Sequence, residues 1–288
     1  MHREMSTRFT QFAKEKKFLL GVSERTVEWY ESSLKWLPNE NPTTEELKQM
    51  VVAMREHKLK PSGINCCLRA INSYLHWNSG AEGKCTPMCK HPRVSRLKEP
   101  QLQLPTFTNE QVKHLIHYRP KTKGQRRLHL LVLFMLDTGC RISEALTLRV
   151  SSIDFENLLV ALMGKGGKER KVPFSFELRR AMFKYVSDFN RKPEMLLLAS
   201  RNEVQLGRRD TLRDVKQLCR GLGFEPPIRT LHSFRHSFAV NYLRRGGSVF
   251  HLQKCLGHSS LEMTKRYANL LTEDLQAVHP KVSLLAQL

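Results

Sequence analysis

Between residues 231 and 267 three polar fragments interrupt an apolar, helix-patterned run: Leu231-His232-Ser233-Phe234-Arg235-His236, Leu256-Gly257-His258-Ser259-Ser260 and Thr264-Lys265-Arg266-Tyr267. In a helix starting near Thr230, His232 and Arg235 stand three residues apart and share a side. His236 follows His232 by four residues, a spacing that suits two helical metal ligands. Arg235 beside that pair would repel a cation, so no metal is expected there and His236 reads as a core histidine. Ser259-Ser260-Leu261-Glu262 is a capping-box pattern, and the helix it starts carries Tyr267 about two turns in. An isolated tyrosine on such a helix is ordinarily core filling. Upstream, Thr138-Gly139-Cys140 ends one helix and Arg141-Ile142-Ser143-Glu144 begins another, with Arg141 and Glu144 on one face. Gly164-Lys165-Gly166-Gly167-Lys168 is a glycine-rich turn that puts Lys165 at its rim. It is not a P-loop, because no Ser or Thr follows a Gly-Lys at the required spacing.

Those residues sit in a strongly basic chain. Across 288 residues, 48 Lys and Arg face 27 Asp and Glu, for a net charge of +21. Residues 1–105 hold 17 basic and 11 acidic side chains, and the remainder holds 31 and 16, so both parts are positive. Such an excess points to a polyanion, since phosphate neutralisation and counterion release dominate nucleic-acid affinity. A hydrophobic content of 40% with interspersed charges indicates folded structure rather than a disordered basic arm. No secretory core segment and no apolar run of roughly 18 residues is present. A cytoplasmic, nucleoid-associated protein is therefore expected. The seven cysteines are odd in number and scattered, which fits reduced thiols. Cys85, Cys89 and His91 form a C-x3-C-x-H cluster, but no second ligand pair follows and zinc is not expected.

The elements that must position the polar residues follow from periodicity. Helices are expected over 6–20, over 25–36 behind Ser23, from Thr44 through Met54, and over 62–77 with Ile64, Leu68, Ile71 and Leu75 on one face. From residue 78 to 108 the pattern dissolves among Gly80, Gly83, Pro87, Pro92, Pro100 and Pro105, which marks a basic connection. Thr108-Asn109-Glu110-Gln111 caps the next helix. An apolar helix is expected over 128–136, two strands over 158–163 and 170–174, and further helices over 175–189 and 211–222.

Taken together, Arg141 in Thr-Gly-Cys-Arg-Ile-Ser-Glu, Lys165 in Gly-Lys-Gly-Gly-Lys-Glu-Arg, His232 and Arg235 in His-Ser-Phe-Arg-His, His258 in Leu-Gly-His-Ser-Ser, and Tyr267 nine residues on resemble the tyrosine recombinase (phage integrase) family. Any one motif is weak; six positions in order are specific. The resemblance covers most of the chain. It implies a mainly α fold with a small antiparallel β-sheet, built as a two-domain DNA clamp. Residues 1–95 would be a helical, SAM-like core-binding domain, 96–107 a linker, and 108–288 a mixed α/β catalytic domain with a C-terminal tail.

The chemistry that the resemblance implies is phosphoryl transfer without a cofactor or metal. Arg141 and Arg235 would hold the nonbridging phosphate oxygens, and Tyr267 would attack phosphorus. A free phenol titrates near pH 10, so it needs assistance, for which His232 is the candidate. His258 would hydrogen-bond the phosphate, Lys165 would protonate the leaving 5′-oxygen, and Glu144 would orient cationic neighbours from behind. The product would be a 3′-phosphotyrosyl linkage that rejoins without ATP. The expected partners are double-stranded DNA bearing specific sites and three further copies, as a tetramer on two sites. The tail after Pro280 would pack either in cis or on a neighbour. No room is expected before the core-binding region for an extra arm-binding domain. Type IB topoisomerase-like relaxation and a catalytically silent DNA-binding regulator are the alternatives.

Overall fold

The structure is a computed structural model that describes residues 7–80, 91–99, 104–164, 167–200, 202–258 and 260–268. It is mostly helical with one small antiparallel sheet, and it divides into two compact units, Met1–Leu102 and Gln103–Leu288.

The first unit contains α1 (Thr7–Phe18), α2 (Glu24–Leu34), α3 (Thr44–Glu56) and α4 (Pro61–Asn78). Its core follows the helical periodicity: Leu34, Leu47, Met54, Ile64, Leu68 and Ile71 are all at most 1% exposed. Phe12 sits among Tyr30 and Tyr74 with ring centroids 5.0 and 5.5 Å away, in edge-on geometry. Thr43, one residue earlier than expected, caps α3 in a reciprocal box with Glu46. Ser23 makes no cap bond and meets Thr26 instead. Helix α4 starts at Pro61, whose missing N–H costs nothing at that position. Beyond α4, the Asn65 side chain donates to the Leu97 carbonyl and accepts from the Leu97 N–H, while Val94 and Leu97 pack against the core. Residues near 97, expected to be linker, are thus tied to this unit. Cys85 and Cys89 lie outside the described residues, and the His91 ring stands edge-on to His76 at 5.7 Å.

The second unit begins with Leu104 and the buried Phe107, whose N–H donates to Ser237. Helices α5 (Asn109–His117) and α6 (Lys123–Thr138) both open with capping boxes, from Thr108 and Thr122. Leu130, Leu131, Val132, Phe134 and Met135 bury α6 on several sides, because α5, α8, α9 and α10 all pack on it. Short helix α7 (Ile142–Leu146) leads into a meander of β1 (Ile153–Asp154), β2 (Leu159–Met163) and β3 (Glu169–Pro173), ordered β1-β2-β3. The register pairs Val160 with Val172 and Leu162 with Arg170. Then come α8 (Phe176–Asp188), α9 (Arg208–Gly221), α10 (Thr230–Arg244), α11 (Val249–Leu256) and α12 (Leu261–Ala268). Strand β1 and helix α11 carry no separate sequence expectation: two residues are too few for a period, and α11 merges into the apolar run around it. Among the described residues no helix is long and apolar enough to cross a membrane.

Candidate active site

Two glycines decide where the polar residues stand. Gly139 ends α6 in the left-handed region at φ +62°, where a Cβ would also collide with the Phe238 ring. The turn it makes delivers Arg141 to the start of α7. Gly257 ends α11 at φ +64°, and a Cβ there would lie 2.9 Å from Cδ of Arg170. That turn delivers His258. Arg229, at φ +63° without being glycine, starts α10, which carries His232, Arg235 and His236.

Arg235 joins these turns. Its Nη1 donates to the Gly139 carbonyl at 3.0 Å and its Nη2 to the Leu256 carbonyl at 2.6 Å. It is 5% exposed, and burial followed by the nearby Arg141 charge pulls its pKa down to about 10, so it stays cationic near neutrality. Arg141 is more open, with its side chain one-third exposed. Its Nη1 donates to Glu144 Oε1 at 2.9 Å and its main-chain N–H to Oε2 at 2.7 Å. Glu144 is itself buried and takes two further bonds from Arg170. Burial alone would raise its pKa; the bonds from Arg170 and Arg141 outweigh that and hold the carboxyl below its ordinary value.

The imidazoles and the phenol gather beside this cluster. Tyr267 is 4% exposed, and its hydroxyl lies 2.9 Å from Nδ1 of His236. The His258 ring lies parallel to that of Tyr267, centroids 6.2 Å apart, and its Nδ1 meets the Thr264 hydroxyl at 2.8 Å. Burial, then the charges of Arg235, Arg141 and Arg170, pull the His258 pKa down to about 4. His232 is exposed. Arg208 Nη2 lies 3.3 Å from its Nε2, and since a guanidinium only donates, Nε2 is the acceptor. Partial burial, then the charges of Arg208, Arg229, Arg235 and Arg141, lower its pKa. Cys140, between Gly139 and Arg141, is fully buried and its thiol is pushed up to about 12, which makes it inert as a nucleophile. Among the described residues no three His, Cys, Asp or Glu side chains are placed to hold a metal ion.

Residues 105–274 match the Phage integrase family model. The tyrosine recombinase XerA of Pyrococcus furiosus is 30% identical over 278 residues, covering 94% of this chain and 92% of its own. The chain belongs to the phage integrase family of tyrosine recombinases. Among solved structures, the Tn1549 transposon integrase in complex with transposon right-end DNA aligns with a TM-score of 0.74 and 20% identity, over 96% of this chain and 100% of that one. The XerH site-specific recombinase bound to palindromic difH substrate, in a post-cleavage complex, aligns at 0.71 and 17%, over 94% and 83%. These two likenesses show the fold. The protein is a site-specific recombinase, and neither the topoisomerase nor the silent-regulator alternative is favoured.

Within this recombinase the second unit brings Arg141, Glu144, Arg235, His258 and Tyr267 together, with His232 at the outer edge. Lys165, Ser259 and the tail from residue 269 lie outside the described residues. The structure also adds residues that sequence reasoning missed. His236, expected in the core, is half-buried and touches the tyrosine hydroxyl. Its four-residue spacing from His232 is the available signal in the sequence, and that spacing carries no mark of a phenol 31 residues away. Arg170 stood in the sequence as one strand residue among several cations, with nothing local to mark its carboxylate partner.

Proposed function

We propose that this recombinase breaks and rejoins DNA through a covalent 3′-phosphotyrosine on Tyr267. The observation that carries this reading is the burial of the Tyr267 phenol against the imidazoles of His236 and His258, in the field of Arg235, which in turn lies near Arg141. Charge grows on the nonbridging oxygens as the phenolic oxygen attacks, and two guanidiniums fixed in advance stabilise it without reorganising. Arg141 and Arg235 fill that role. The phenolic proton passes to an imidazole: His232 is the acceptor expected from the motif, and His236 is the one in contact in the resting protein. His258, neutral at physiological pH, offers a hydrogen bond to the phosphate. Lys165 protonates the 5′-oxygen as its bond to phosphorus breaks, and returns to accept that proton on rejoining. The cationic side chains supply the charge that Mg²⁺ supplies in other phosphoryl-transfer sites.

In this reading residues 1–95 form a core-binding domain, 96–107 a linker and 108–288 the catalytic domain. Both parts, each net positive, would engage one duplex as a clamp. Strand exchange needs four coordinated cuts, so the working assembly is a homo-tetramer on two sites, acting on nucleoid DNA in the cytoplasm. Its role would be resolution of replicon dimers or integration and excision of a mobile element. Tyr267→Phe is the direct test: duplex binding should persist while no covalent adduct forms on a nicked suicide substrate. An adduct in that variant would remove Tyr267 from the role. Cross-linked synapses of wild-type protein should contain four protomers.

A further inference from the structure

The chemistry just described gives no part to Arg170, yet its side chain is only 13% exposed and fully engaged. It is the second residue of β3. Its Nη1 and Nη2 donate to Oε1 and Oε2 of Glu144 at 2.9 and 2.8 Å, a two-pronged planar pairing. Its Nε donates to the Cys255 carbonyl at 2.9 Å, three residues before His258. Its aliphatic stem passes under Gly257, where only a residue without a Cβ leaves room. One side chain therefore ties the sheet to α7 and to the end of α11.

We propose that Arg170 is a positioning residue that leaves the Arg141 guanidinium available to the scissile phosphate by engaging both oxygens of Glu144. Glu144 is a buried carboxylate, 3% exposed, with two arginine partners held unequally. Arg170 gives it both prongs of its fork, whereas Arg141 gives one side-chain bond and one main-chain bond. Arg170 takes the larger share of the carboxylate, and Glu144 orients Arg141 through a single side-chain bond and one main-chain bond. Its side chain remains one-third exposed, with donors left for a ligand. Without Arg170 the carboxylate would be a buried charge with a single cationic partner, and such a group draws that partner into a full ion pair. Arg141 would then be held against Glu144 when the phosphate arrives. Lysine cannot restore the arrangement, because its ammonium makes no two-pronged bond.

The inference rests on the phosphotyrosyl reading, and a double-mutant cycle separates the two. Adduct formation on a nicked duplex is measured in single turnover at saturating protein, alongside duplex affinity and melting temperature. Arg170→Met should slow adduct formation by roughly tenfold or more while duplex affinity changes by less than about threefold. In a Glu144→Gln background the same Arg170→Met change should cost less than about threefold, because no buried carboxylate remains to capture Arg141. An equal cost in both backgrounds would mean that Arg170 acts only as a structural tie through Cys255 and Gly257, and would overturn the proposal. A wild-type rate in Arg170→Met would overturn it as well. Should Arg170→Met fail to fold, Arg170→Lys takes its place in the same cycle with the same pattern expected. If wild-type protein itself forms no adduct, the phosphotyrosyl reading falls and this inference with it.

Discussion

The two sides of the site are held by different means. On one side, Glu144 accepts four hydrogen bonds from Arg141 and Arg170, and Arg235 spends two donors on main-chain carbonyls. On the other, the Tyr267 hydroxyl meets His236 Nδ1 and His258 Nδ1 meets the Thr264 hydroxyl, single contacts that involve no carboxylate. The arginine side is a fixed block of positive charge, and on the imidazole side burial, then arginine charge, lowers the pKa of both His258 and His232. The difference teaches how one small site separates two jobs. In the proposed reaction the arginines would face the phosphate, while the imidazoles beside the phenol would be the groups available to take its proton.

Substitutions can break this division. The largest effect is expected from Arg235→Ala, which removes a preorganised cation and orphans two buried carbonyls. Adduct formation should fall by about 10²–10³ or more, with a stability loss of roughly 2–4 kcal/mol seen in chemical denaturation. A variant of near-native stability and rate would mean that Arg235 is not the hub. Next is the comparison of His236→Ala with His232→Ala. If the resting contact marks the working proton acceptor, His236→Ala loses about 10²-fold or more in single-turnover adduct formation and the larger share of the two. The reverse order would return the role to His232, and a faster His236→Ala would show that the contact restrains the tyrosine.

A third test uses pH. His258 binds a proton less readily folded, at about 4, than unfolded, near the ordinary 6.5. The unfolded state therefore takes up more protons between those values, so this contribution is complete above about pH 6.5 and is lost as pH falls toward 4. Melting temperatures of wild type should drop across that window, and His258→Asn should flatten the drop; an unchanged slope would remove His258 from the cationic field. His129 and His232, shifted the same way, leave a residual slope. The smallest effect is expected from Thr264→Val, which costs the His258 Nδ1 partner, about 1 kcal/mol or roughly fivefold in adduct rate.

Much of this was readable from the chain. Helical periods placed the cores of α3, α4 and α6, and the resemblance to the tyrosine recombinases nominated His232, Arg235, His258 and Tyr267 as part of a candidate site. Arg141 and Glu144 were visible as a helical pair because their contact spans three residues. Partnerships across longer separations were not. Arg170 reaches Glu144 across 26 residues and Cys255 across 85, while His236 reaches Tyr267 across 31. Periodicity carries no record of such pairs. Ser23 and Thr43 show the local limit: both have the right residue type for a cap, and only Thr43 has the reciprocal glutamate in place.

By itself the sequence determined the inventory: a basic chain, helices with defined faces, and a set of cationic, imidazole and phenolic groups in the family's order. Those properties are local or additive, set by residue types and by the helical period. The tertiary structure alone decided who shares a charge and who shares a proton. Glu144 belongs to two arginines, and Tyr267 rests against His236, because α7, β3, α10, α11 and α12 converge. Where charges are buried, the energy of each group depends on its nearest partners in space, and those partners lie far apart along the chain.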